Sequence, residues 1–233
     1  MTTCLTTTDP HFQIKHLGGR EGHHRSLQST ILAEILHRTA NDFAMALSAL
    51  RLAEPHVVGR GTRVLALATA RITAAAELNR ILIPPLFSGV TDLTGLLDAC
   101  CAGILRIRSE PDPSTLSVRS DPIHVESEVA WMIVAIAAEL IRNAERHAFR
   151  GSIGDIRVGL RLHDDELVLS VSDDGVGAGD WVSKNGGAGS VIVDALVEQL
   201  GGTLERASSD QGTSVRFSVP LSRHVVQPLR IVS

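Results

Sequence analysis

Between Glu139 and Gly202 the chain carries three short motifs in a fixed order, ELIRNAERHAF, SDDGVG and GGAGSVIVDALVEQLGG, and together they leave few folds open. The first reads as helix, and its Glu139 and Asn143 project from one face about one turn apart. A carboxylate and an amide oxygen so placed can together hold a magnesium ion and orient a reacting group. The second motif ends a strand in which Leu167, Leu169 and Val171 alternate, and the same period of two carries Asp173 to the inward side. An inward carboxylate needs a buried partner. The exocyclic amine of adenine would supply one, with Gly175 and Gly177 letting the backbone approach the base. In the third motif Gly186, Gly187 and Gly189 precede an apolar-periodic helix from Val191 to Leu200, where free backbone N–H groups and the helix dipole can hold phosphate. Read jointly, the three predict an adenine nucleotide pocket.

The rest of the chain narrows the class. At 233 residues it has room for one or two domains and a real core. Aromatic content is very low, with five Phe, two Trp and no Tyr, and the alanine and leucine that replace them favour helix. A net charge of −4 argues against a broad nucleic-acid-binding surface. Apolar windows such as Val129 to Leu140 are interrupted by charge and fall well short of the roughly 20 residues a membrane span needs. The N-terminus lacks the basic start and apolar run of a signal peptide. Cys4, Cys100 and Cys101 form neither a paired framework nor a CxxC motif, so a cytoplasmic chain is expected.

Residues 1–25 are polar and aperiodic and read as a flexible tail; His23 and His24 lack a clear third ligand for a metal. Residues 27–54 predict one long helix whose apolar positions occupy an arc of about 160°. His37 falls roughly 150° from the centre of that arc, facing solvent, with Glu34 and Asn41 one turn either way. An exposed histidine can be phosphorylated. Pro55, Gly59 and Gly61 break the chain, and a second helix, 62–83, closes at Pro84 and Pro85. Such a hairpin has too little core alone, so it should pair with a second copy as a four-helix bundle. Residues 86–92 read as linker and 93–107 as a helix, with Cys100 and Cys101 as small core residues. A short strand at 116–119 precedes a long, sandwiched helix over 126–149, polar only along the arc of Glu139, Arg142, Asn143 and Arg146. Strands at 156–162 and 166–171 form a hairpin, Gly201 and Gly202 stop the later helix, and strands at 203–206 and 213–219 close the sheet. The predicted organisation is a tail (1–25), a helical hairpin (26–88), a nucleotide-binding domain (89–222) and a C-terminal tail (223–233).

From about Ser29 to Leu221 the chain resembles a bacterial sensor histidine kinase of the group whose acceptor helix reads His-Arg-x-x-Asn, related to the HWE kinases. Its second half resembles the GHKL ATPases. His37, Arg38 and Asn41 match the acceptor motif, and Glu139, Asn143 and His147 the N box. Asp173, Gly175 and Gly177 match the first glycine box; Gly187 and Gly189 match the second, with Ser190 where a large apolar residue is usual. Gly212 and Thr213 resemble a late Gly-Thr pair that approaches the phosphates. The resemblance implies an α+β fold, a helical hairpin followed by a two-layer α/β sandwich of the GHKL (Bergerat) type, binding ATP with Mg²⁺. It implies transfer of the γ-phosphoryl group to His37 and then to an aspartate on a response-regulator receiver domain, in a homodimer joined through the hairpin. Asn143 would hold Mg²⁺, Asp173 would fix adenine and the loop from Gly187 to Ser190 would wrap the phosphates. Glu139 or Asn41 would orient the imidazole, and Arg38 suits phosphate charge. The tail is too short for a sensor domain, so a separate sensor protein or constitutive activity is implied. Two other readings share parts of the pattern. A histidine phosphotransferase or non-catalytic adaptor would keep His37 as a relay but has no use for an adenine site, and an anti-sigma-factor serine kinase shares the ATP fold without needing the hairpin.

Overall fold

The computed structural model describes residues 39, 43–51, 59–85, 89–108, 114–149, 153–163, 166–177 and 188–220. The first helix, α1, is described over residues 43–51; His37, Arg38 and Asn41 lie outside the described residues, as do both expected tails.

Helix α2 (Arg60–Ile81) starts after Gly59, whose φ of 70° favours glycine, and ends before the Pro84–Pro85 pair. Its C-terminal half packs on α3 (Leu93–Ile107), where Ala74 and Leu78 are buried and Leu78 lies against the helix at Gly103. The indole N–H of Trp131 donates to the carbonyl of Leu82 at 2.8 Å, fixing the end of α2. The N-terminal half is different: Val64 and Leu67 are exposed.

Residues expected as linker contribute structure. Val90–Asp92 is a short strand, β1, pairing antiparallel with β3 (His124–Glu126). Asp92 then caps α3 by accepting from the Gly95 N–H at 3.1 Å. Three-residue strands carry no readable alternation, and the partner lies some thirty residues downstream, which is why periodicity could not place them.

The sheet has the order β2-β4-β5-β7-β6, built from β2 (Ser114–Ser120), β4 (Gly154–His163), β5 (Glu166–Asp173), β6 (Thr203–Ser209) and β7 (Gly212–Pro220). All pairs are antiparallel except β2–β4, which is parallel and is bridged by the crossover through helix α4 (Ser127–His147). Alternation sorts the two faces: Ile156, Val158, Leu160, Leu167, Leu169, Val171, Phe217 and Val219 are buried against the helices, while Arg157, Arg161 and Arg216 point away from them. Helix α4 is buried on most of its circumference, as its sequence predicts, and packs against α3, the sheet and α5 (Ala188–Leu200). Gly201, at φ 64°, ends α5, with the Gly202 N–H donating to the Val197 carbonyl at 3.0 Å. The fold is therefore the α+β arrangement expected, and no helix among the described residues is long and apolar enough to cross a membrane.

Cys100 and Cys101 are buried in this core, and burial pushes both thiols up to about 12, with Cys100 and Asp98 adding to the effect at Cys101. The reactive species is the thiolate. A Cys4→Ser chain at pH 8 should therefore take up no thiol reagent in the native state and two equivalents in urea; rapid native labelling would contradict the packing.

Candidate functional site

Helix α4 acts as the floor of the motif residues. Its polar arc carries Glu139 and Asn143, both half-buried, and then His147, exposed at the last turn. The helix ends against the SDDGVG loop: the Val176 N–H donates to the Ala148 carbonyl at 2.9 Å, and Gly175 lies so close to Ala148 that a side chain there would overlap its backbone. Two and a half turns back, the Glu139 carboxylate touches Gly189 in the first turn of α5, again with no room for a Cβ. Ser190 follows, half-buried; Gly187 lies outside the described residues. The nine residue steps from Glu139 to Ala148 span about 13 Å along the helix, the order of separation between the base and the terminal phosphate of a nucleotide.

At the base end, Asp173 closes β5. Its Oδ1 accepts two backbone N–H groups, from Gly175 at 3.1 Å and from Thr213 at 3.2 Å, and no described residue donates to Oδ2. Thr213 is seated against Asp173 because the β6–β7 turn folds back onto the end of β5. Two glycines permit that approach. Gly177, at φ 72°, lies against the Ser209 carbonyl, and Gly212, at φ 119°, lies against the Asp173 carbonyl. Burial raises the Asp173 carboxyl above the ordinary carboxylate range, the two backbone donors opposing it and Asp174 adding repulsion.

Two parts of the site were not singled out from sequence. Asp174 accepts the Asp155 N–H at 2.6 Å through Oδ1 and returns its own N–H to the Asp155 carbonyl at 3.3 Å, which staples the SDDGVG loop to the start of β4. Asp155 is in turn held by the Thr115 hydroxyl and by Arg157, and these keep its carboxyl below the ordinary range. The doubled Asp of the motif was the available signal, but nothing in the spacing says which of the pair faces inward and which ties the loop. The other part is Arg142, whose Nη2 lies 2.9 Å from Glu139 Oε2. Among the described residues there is no cluster of three or more His, Cys, Asp and Glu side chains suited to a metal ion.

The family model of histidine kinase-, DNA gyrase B- and HSP90-like ATPases matches residues 130–223, which hold α4, Asp173 and the Gly189 turn. Over 201 residues, 82% of this chain, the sequence is 30% identical to blue-light-activated histidine kinase 2 of Erythrobacter litoralis. The chain is similar to the sensor histidine kinases, and its residues 130–223 carry the matching ATPase domain. Its second half is an ATP-binding domain of the GHKL class. Sensor histidine kinase PdtaS of Mycobacterium tuberculosis is 27% identical over 199 residues. The chain spans 57% and 40% of these two relatives, about half their length. The solved histidine kinase domain of the Erythrobacter litoralis EL346 blue-light-activated kinase shares the fold, with a TM-score of 0.55 at 23% identity, over 78% of this chain and 97% of that one.

A carboxyl whose folded pKa lies above its unfolded value costs stability as pH rises through the interval between them, and the full cost is present above it. Asparagine keeps an oxygen for the Gly175 and Thr213 N–H groups without the charge. Asp173→Asn should melt at a higher temperature than the parent at pH 7, with the gain shrinking as pH falls from the raised carboxyl pKa to the ordinary one and absent below it. A lower melting temperature at pH 7 would contradict this.

Proposed function

We propose that the chain is an ATP-dependent protein histidine kinase of two-component signalling, which phosphorylates its own His37 and passes the group to a response-regulator aspartate. The observation that carries the nucleotide part of this reading is the geometry along α4: an adenine-type acceptor, Asp173, stands at the helix end, and the glycine turn of α5 touches Glu139 two and a half turns back. The motif match of His37, Arg38 and Asn41, in the stretch whose sequence pattern predicts a helix over residues 27–54, supports the acceptor part.

Each residue then has a role. Asp173 Oδ2 accepts the exocyclic amine of adenine, and its partners on Oδ1 hold it in place. Gly187, together with Gly189 and Ser190 in the first turn of α5, meets the phosphates through backbone N–H groups. Asn143 holds Mg²⁺ through its amide oxygen, and His147 lines the same arc one turn on. Mg²⁺, which prefers oxygen ligands and few from protein, would neutralise charge on the phosphate oxygens. The neutral imidazole nitrogen of His37 forms the new N–P bond as the bond from the γ-phosphorus to the bridging oxygen breaks and ADP leaves. Glu139 or Asn41 orients the imidazole, and Arg38 meets the phosphoryl charge. In this reading residues 26–88 form the acceptor hairpin and 89–222 the ATP-binding domain. The exposed Val64 and Leu67 on α2 support a homodimer in which a second copy covers that face.

Incubation with γ-labelled ATP and Mg²⁺ should give acid-labile label on the chain. His37→Ala should abolish it while leaving nucleotide binding intact, and Asn143→Ala should slow it about a hundredfold or more. Label that survives in His37→Ala would sink the acceptor assignment, and failure to bind millimolar nucleotide would favour a phosphate relay. Sedimentation should show a dimer that Val64→Glu with Leu67→Glu converts to monomer; a monomer in the parent chain would remove the dimer from the proposal.

A further inference from the structure

Arg142 stands immediately before Asn143 and belongs to none of the motif positions that matched the family. Its side chain is 44% exposed, whereas the Glu139 side chain it pairs with is 16% exposed, so the carboxylate sits in the wall of the site and the arginine reaches it from solvent. Both oxygens of Glu139 are thereby engaged. Oε2 takes the Arg142 Nη2 hydrogen bond at 2.9 Å, and Oε1 lies against Gly189 at the first turn of α5. That turn is where the terminal phosphate would lie in the reading above, so Glu139 brings a fixed negative charge to the place where the most highly charged part of the ligand arrives. The other acid on this stretch of α4, Glu145, is engaged with Arg108 at the end of α3, and the next cation, Arg146, is exposed one turn along.

We propose that Arg142 is a positioning residue that sets the preference for ATP over ADP, by holding and neutralising the Glu139 carboxylate beside the terminal phosphate. ADP lacks the γ-phosphoryl group and its charge. An unshielded Glu139 therefore opposes ATP more than ADP, and the effect of Arg142 acts through Glu139 rather than through the nucleotide. An exposed i,i+3 pair is weak enough to shift when phosphate arrives and strong enough to define where the carboxylate rests beforehand. The inference rests on the nucleotide site proposed above, but not on His37 being the acceptor.

The test is a double-mutant cycle on the full chain, with Mg-ATP and Mg-ADP affinities measured by calorimetry for the parent, Arg142→Ala, Arg142→Lys, Glu139→Gln and Arg142→Ala with Glu139→Gln. Arg142→Ala should weaken ATP about tenfold and ADP less than about threefold, and Arg142→Lys should restore most of the difference. In the Glu139→Gln background, removing Arg142 should change neither affinity by more than about twofold. Equal loss of ATP and ADP in Arg142→Ala would overturn the proposal, and so would a tenfold loss of ATP that persists with Glu139→Gln, because Arg142 would then touch the phosphate itself. Arg142 is exposed, and circular dichroism of each variant checks that the fold is kept. Nucleotide binding with the expected cycle but no phosphoryl label would fail the kinase reading and leave this inference standing. Labelling of His37 with an unchanged ATP-to-ADP ratio in Arg142→Ala would do the reverse.

Discussion

Two backbone N–H groups on one carboxylate oxygen hold the base end of this site together. Asp173 Oδ1 ties Gly175, in its own loop, to Thr213, forty residues later at the start of β7. The ladder between β5 and β7 stops at Ser172 and Ser214, so this side chain continues the strand pairing where the backbone no longer can. Concentrating both donors on Oδ1 fixes the direction of Oδ2. The arrangement has a cost, because desolvation outweighs the two donors and leaves the carboxyl with a raised pKa in the folded chain. A donor on Oδ2 favours the charged form, so a ligand amine is worth more here than it would be on an exposed aspartate. Asp174 then stops the loop from relaxing away by bonding Asp155 in both directions.

Helix α4 supplies the second constraint, length. Because it is buried on most sides among α3, α5 and the sheet, it cannot slide or tilt without opening the core, and the spacing between its contacts is set by helical rise alone. Ala148 meets the SDDGVG loop, and Glu139 meets the turn of α5. The loop and the turn stand on either side of residues 178–187 in the sequence, yet their separation is fixed by a rigid element that neither contains. Small residues make both contacts possible: a methyl group at Gly175 would meet the Ala148 backbone and push the two elements apart, and one at Gly189 would displace the Glu139 carboxylate.

Much of this was legible in the residues themselves. The helix over 93–107 was read to the residue, and the buried face of each central strand followed from alternation, because a sheet covered on one side writes its register into every second position. The inward direction of Asp173 followed from the same count. What periodicity could not supply were features made by few residues across long separations. The β1–β3 ladder is three residues deep, the cap of Asp92 on Gly95 depends on where that ladder ends, and the seat of Thr213 depends on how the β6–β7 turn folds over β5. Arg142 was visible as one member of a polar arc, but its partner is a matter of rotamer, and sequence spacing permits i,i+3 and i,i+4 pairs alike. His37, Arg38 and Asn41 remain expectations from sequence, outside the described residues.

The junction between α2 and the ATP-binding domain has an asymmetry that bears on how the two halves cooperate. The last two turns of α2 are held by three different interactions: Leu78 against Gly103, the Glu77–Arg106 ion pair at 2.8 Å, and the Trp131 indole on the Leu82 carbonyl. The ion pair is exposed on both sides and contributes little, so burial of Leu78 and the indole hydrogen bond carry the attachment. Trp131 lies on α4, two turns before Glu139 on the same helix. The end of the hairpin is therefore fastened to the element that also sets the spacing of the nucleotide site. Any movement of α2 that breaks the indole bond must leave α4 in place, since α4 is locked into the core, whereas the open face at Val64 and Leu67 gives the far end of α2 no such restraint.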